Sequence, residues 1–250
     1  MKAYDSCVLV FEVTQASALA AQLTPAWLQR CAKACAAQLL GDVAPFWGEV
    51  IGGVRVAASR ADVQPGEMVF AIVDALPDAP GAIAYHDVTG DAVPVAFLAL
   101  STCQSLDDVS TAISHELVET TGDAGCNLWA DDGAGAEWAR ELCDAVESNT
   151  YPIDLNDGQP PIRLSDFVIP TFFEAGAAGP YSFLGSASAA PPAPFGTAAG
   201  GYQIRRSPGT GETQVNAHAS SKRGLKVLAG GHHWSSRPAR RGVLRAPRVA

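Results

Sequence analysis

Basic residues are scarce over most of this chain: residues 1–200 hold 7 Lys and Arg against 25 Asp and Glu. A body with that excess of negative charge repels phosphate backbones, which makes it a poor nucleic-acid-binding core. No apolar run reaches the roughly 18 residues that a membrane-spanning helix needs, so no membrane partner is expected. The apolar CVLVFEV near the N-terminus contains Glu12, follows Asp5 and has one lysine before it. It therefore fits a strand better than a signal peptide's core, and a cytoplasmic protein is expected. The six cysteines (Cys7, Cys31, Cys35, Cys103, Cys126, Cys143) include no CxxC pair and no zinc-finger spacing. Cys31 and Cys35 read as small buried residues of a helix, and Cys126 and Cys143 would bridge only in an oxidising compartment. There is no GxSxG and no Cys-His nucleophile arrangement. GEVIGGV lacks both a following helix and a Lys-Ser/Thr, which excludes a phosphate-binding loop. No internal repeat is present.

What is there suffices for a full core: 250 residues, 48% of them apolar. Residues 6–13 read as a strand. In TPAWLQRCAKACAAQLLGDVAPFWG, Thr24 is placed as N-cap and Pro25 at the first helical position, ahead of apolar spacing near 3.6. VIGGVRVAAS and GEMVFAIVDAL are β-rich, and AIAYHDVTGDAVPVAFLAL divides into two strands around Thr89-Gly90-Asp91. A second helix follows SLDD, with Asp107 or Asp108 as cap, and EWARELCDAVE reads as a third. This order predicts an α+β fold, a mixed sheet with packed helices, over residues 1–185. Residues 186–250 change character to a Pro/Gly/Ala-rich linker and a C-terminal arm, with a late hairpin around Ser207-Pro208-Gly209. Residues 201–250 hold 10 Lys and Arg against one acid, a basic arm that is either a solvated tail or one able to dock on an acidic surface or on phosphates.

The second helix carries SHELVETTGD. His115 and Glu119 are four residues apart and project from one helical face, so an imidazole nitrogen and a carboxylate oxygen can meet one cation about 2 Å away. Glu116 beside them is placed as the general base that takes a proton from a metal-activated water. A carboxylate in place of a second histidine weakens the cation's Lewis acidity and widens the choice from zinc to manganese or calcium. A third ligand is available among Asp123, Glu137, Glu141 and Asp144. The preferred set is His115, Glu119 and Glu141, with Asp144 orienting the His115 ring or serving as the alternative third ligand.

The blocks AIAYHDVTGDAVPVAFL, SHELVETTGDAGCNLW, ARELCDAVESNTYPI and RLSDFVIPTFFEAGAAGPYSFLG, in that order, resemble a zincin-like metallopeptidase family of bacterial and tailed-phage genomes. The resemblance covers roughly residues 80–204. It implies a zincin-type fold, with the motif helix beneath an edge strand able to hold an extended peptide by β-addition. It also implies zinc, with His115, Glu116 and Glu119 as ligand, base and second ligand and Glu141 and Asp144 as the downstream acidic pair. The chain departs from the family in having Ala124 and Ala145 where a proline is expected after each acid.

Other residues divide between structure and function. His86 is either a partly exposed strand histidine, the weightier reading, or an oxyanion binder in the cleft; Tyr85 shares that choice. Phe167, Phe172 and Phe173 fill a core by default, with a specificity wall as the alternative, and Trp129 and Trp138 cover the site rather than read a substrate. His232 and His233 are incidental to a Gly-rich tail. Two functions follow as expectations. One is a metal-dependent, peptidase-like hydrolase acting on a peptide or protein. The other is a non-enzymatic assembly protein, of a phage virion for instance, that binds neighbours through its arm.

Overall fold

Strand β1 (Ser6–Phe11) is apolar at four successive positions and buried at all of them, as a central strand covered on both faces must be. It lies between β2 (Val54–Ala57) and β3 (Glu67–Val73), parallel to both, and β3 is followed by β5 (Pro94–Ala99), also parallel. Strand β4 (Ala84–Val88) closes the order β2-β1-β3-β5-β4 as an antiparallel edge. The computed structural model describes residues 5–48, 50–89, 93–208 and 211–216. The basic arm from residue 217 onward, with His232 and His233, lies outside them, as does Gly209 of the expected turn.

The helices occupy one side of this sheet. Cys7 and Leu9 of β1, with Met68, Phe70, Ala96 and Leu98, share a core cluster with Leu28, Cys31 and Cys35 of α1 (Pro25–Gln38) and Val109, Ile113 and Leu117 of α3 (Leu106–Asp123). Val8 and Val10 face the opposite way, into a small cluster with Ala57. Helix α1 starts as its sequence dictates: Thr24 Oγ1 accepts from Trp27 N at 3.2 Å and Pro25 follows. After a π-helical turn (Leu39–Val43), α2 (Ala44–Trp47) ends the helical arm. The cap of α3 is Ser105, whose oxygen accepts from Asp108 N at 3.2 Å; Asp107 and Asp108 stand in the first turn, where their charge suits the helix dipole. Among the described residues, no helix is long and apolar enough to cross a membrane.

Beyond α3 the chain is mostly β and irregular. Strands β6 (Trp129–Asp131) and β7 (Glu137–Ala139) join β10 (Tyr202–Ser207) and β11 (Gly211–Asn216) in the order β11-β10-β7-β6, and β8 (Thr150–Ile153) pairs with β9 (Ile162–Ser165). The helix expected over EWARELCDAVE does not form. Its first residues pair with Arg205 and Arg206 of β10, and its last form a 3-10 turn, Asp144–Val146. Strand pairing on both sides, with nearby β6 and distant β10, overrides the local helical spacing here. The expected hairpin forms, with Ser207 opposite Gly211. The segment read as a linker is bound to the body along its backbone instead: Phe195 N donates to Phe172 O at 3.0 Å and Ala198 N to Ala145 O at 2.9 Å. It needs few large side chains because hydrogen bonds hold it.

Candidate metal centre

Helix α3 sets the first half of the site by its own geometry. His115 and Glu119, one turn apart, meet with Nε2 and Oε1 at 3.3 Å. The helix is fixed in rotation by a buried polar chain on its flank. Ser114 Oγ donates to Gln38 Oε1 at 2.8 Å and accepts from Ser165 N at 3.0 Å. Gln38 Nε2 donates to Ser165 O at 2.8 Å and to Tyr151 OH at 3.0 Å. All of these groups are buried, so α1, α3 and β9 are locked together by bonds that water cannot replace.

The third group arrives from the turn at Asp144. Its Oδ1 lies 3.2 Å from His115 Nε2, the same nitrogen that faces Glu119. The segment comes this close because α3 carries a glycine there: a Cβ on Gly122 would stand 2.5 Å from Leu142 Cγ. Leu142 O accepts from Val168 N at 2.7 Å, Cys143 N donates to Glu119 Oε1 at 3.4 Å, and Ala145 O accepts from Ala198 N, so the turn is held from three directions. Gly201 is part of that support, since a Cβ there would lie 2.5 Å from Ala145 O.

On the other side of Glu119 stands His86, from edge strand β4. Its Nδ1 is 3.1 Å from Glu116 Oε2 and 3.7 Å from Glu119 Oε2. The structure thus overturns the weightier sequence reading of a partly exposed strand histidine: His86 is fully buried. The signal available in the sequence was the pleat of β4, which sends His86, paired opposite buried Ala96, to the face where α3 packs.

The chain matches no family model, no curated protein and no solved structure.

Two groups of the described residues could hold a metal ion: His115, Glu119 and Asp144, and His86, Glu116 and Glu119. Zinc bonds of about 2.0–2.2 Å in tetrahedral array place neighbouring donors about 3.3–3.6 Å apart, close to the 3.2 and 3.3 Å found around His115 Nε2. One ring nitrogen facing two carboxylate oxygens is better served by a cation between them than by a single proton. The charge balance agrees. Glu116, Glu119, Asp123, Glu141 and Asp144 are all at most 4% exposed, and buried carboxylates require compensation. Burial alone would lower the pKa of His115, but the charge of Glu119 and the hydrogen bond that Asp144 accepts carry it well above the ordinary imidazole value. Burial, then Glu119, pushes the Cys143 thiol up, so it is no nucleophile near neutral pH.

The remaining sequence candidates divide clearly. Glu141 is buried but belongs to neither group, because without the expected helix it shares no face with the Asp144 carboxylate. Asp123 closes the end of α3, accepting from Asn127 N at 2.9 Å and Leu128 N at 2.8 Å. Glu137 pairs with Arg206 on β10. Trp129 and Trp138 lie under the guanidinium groups of Arg206 and Arg205, at 4.1 and 5.5 Å, and brace the small sheet. Phe167 and Phe172 are core residues, as expected. Cys126 and Cys143 are buried thiols, and Cys126 Sγ donates to His86 O at 3.7 Å.

Proposed function

We propose that this protein is a metal-dependent hydrolase of peptide bonds, with His115, Glu119 and Asp144 holding a divalent cation, zinc first among the choices. The single observation that carries the reading is the convergence of Glu119 Oε1 and Asp144 Oδ1 on His115 Nε2 at 3.3 and 3.2 Å. A bound cation supplies Lewis acidity toward a water and the carbonyl it attacks. Glu116, adjacent on the helix, takes the proton from that water, and His86 Nδ1, 3.1 Å from its carboxylate, fixes the carboxylate's orientation. The His115 side chain is 12% exposed, against 0–5% for Glu116, Glu119, Asp144 and His86, so substrate approaches from its side. Edge strand β4 lies next to α3 and offers an extended peptide one more strand to pair with, in keeping with the resemblance to zincin-like metallopeptidases.

The test is metal content after chelator-free purification, together with peptide cleavage by the wild type and Glu116→Gln. Stoichiometric zinc and activity lost in the variant support the reading; cleavage unchanged in Glu116→Gln overturns it. The contrast between the acidic body and the basic C-terminal 50 residues favours a second role in assembly. Removing residues 217–250 should then abolish self-association or partner binding while leaving metal content intact.

A further inference from the structure

The proposed centre uses one side of Glu119, and the other side is built in the same way. Around His115, Nε2 faces one oxygen of Glu119 and one of Asp144. Around His86, Nδ1 faces the second oxygen of Glu119, at 3.7 Å, and one of Glu116, at 3.1 Å. Each imidazole thus meets two carboxylates through a single nitrogen, and Glu119 presents Oε1 to one imidazole and Oε2 to the other. A carboxylate with each oxygen directed at a different donor group can bridge two cations. The two triads hold three carboxylates between them, a formal charge of −3 with neutral imidazoles. One divalent ion leaves −1 in a site where these groups are at most 5% exposed, apart from His115 at 12%. Two ions leave +1, which suits stabilisation of an oxyanion.

We propose that His86, Glu116 and Glu119 form a second divalent-cation site, so that Glu119 bridges a two-metal centre. This rests on the His115 site of the proposed function and deepens it. Paired cations about 3.5–4 Å apart are a known arrangement in hydrolytic sites; here the ion on the His115 side would face substrate and the ion on the sealed His86 side would add positive charge behind it. Glu116 ligates through the oxygen that faces His86 and keeps the second oxygen of its carboxylate for the proton, at lower basicity. The sealed position of His86 gives the second ion a binding role and leaves contact with substrate to the His115 side. The mixed imidazole and carboxylate set suits zinc, cobalt or manganese.

The deciding measurement is stoichiometry on the full chain. The protein is stripped with chelator and titrated calorimetrically with Zn2+, and bound metal is counted by atomic emission. Two ions per chain are expected, falling to one in His86→Gln and to one in His115→Gln. Loading with Co2+ or Mn2+ should give an exchange-coupled paramagnetic signal in the wild type that becomes a single-ion signal in either variant. One ion in the wild type, kept by His86→Gln and lost in His115→Gln, overturns the second site and leaves the proposed function standing. One ion kept by His115→Gln and lost in His86→Gln supports the His86 site and overturns the proposed centre. No bound ion overturns both. Should His86→Gln fail to fold, the count and the coupling in the wild type decide between one ion and two.

Discussion

The two imidazoles beside Glu119 are held in place by different means. His115 rides on the same helix as Glu119, four residues earlier, so their approach is set by helical geometry and survives any movement of α3 as a body. Its partner Asp144 comes from a short 3-10 turn whose position depends on Leu142 lying against Gly122 and on backbone bonds from Val168 and Ala198. His86 sits on an edge strand, and its distance to Glu116 and Glu119 is set by how β4 packs on α3. Both clusters take two donors from α3, His115 and Glu119 in one and Glu116 and Glu119 in the other, and a third from elsewhere in the fold; the first is partly open and the second sealed. The comparison teaches that local periodicity can place two donors, while the third must be delivered by tertiary structure.

The largest effect should come from the shared group. Glu119→Gln keeps the shape and removes the anion that serves both imidazoles. Zinc affinity measured by calorimetry should fall by more than the roughly 10–100-fold typical of outer-shell substitutions. Next is the turn. Gly122→Ala forces a Cβ into Leu142, which costs about 1–3 kcal/mol in a close-packed interior. Denaturant unfolding should show that loss, and zinc affinity should fall with it, because Asp144 moves while the His115–Glu119 pair does not. If affinity is unchanged, Asp144 is not a ligand. Ser114→Ala strands Ser165 N and Gln38 Oε1, both buried, at a cost of about 1–3 kcal/mol in unfolding free energy. It tests whether the orientation of α3 matters to both clusters alike.

The smallest effect serves as a control away from either cluster. Arg55 beside Glu67 holds that carboxyl at about 2, below its usual 4.5, with help from Gln64 N and Ser6. A depressed carboxyl contributes stability that is fully present above pH 4.5 and lost as the pH falls through about 2. Glu67→Gln should flatten the pH dependence of stability across that window and leave metal stoichiometry untouched. Unfolding curves at stepped pH, with metal counted near neutrality, check both parts.

Much of this arrangement was legible wherever the determining contacts are local. Thr24 and Pro25 start α1, the strand runs fall where alternation and apolar content place them, and the i,i+4 spacing brings His115 to Glu119. The misreadings share one cause. Glu137–Ala139 is a strand because it lies between β6, its near hairpin partner, and β10, which arrives from more than 60 residues downstream and lies outside any local window. Asp144 and Glu141 are both visible in the sequence as acids near His115, but the choice between them turns on whether residues 137–147 are helical, and they are not. The burial of His86 depends on what packs above its strand. The glycine at 122 carried no sequence signal of its own, since its use is to admit a leucine 20 positions away.

The stretch from 186 to 201 passes behind the Asp144 turn, and its clasp on Ala145 would make chain integrity there a condition for holding the proposed ion. A protease that nicks this stretch would cut none of the proposed ligands, yet it would slacken the turn and so release the proposed ion. Metal loss that precedes global unfolding during limited digestion would be the visible mark of that coupling. It also means that a shortened version ending at 185 would misreport the affinity of the intact molecule.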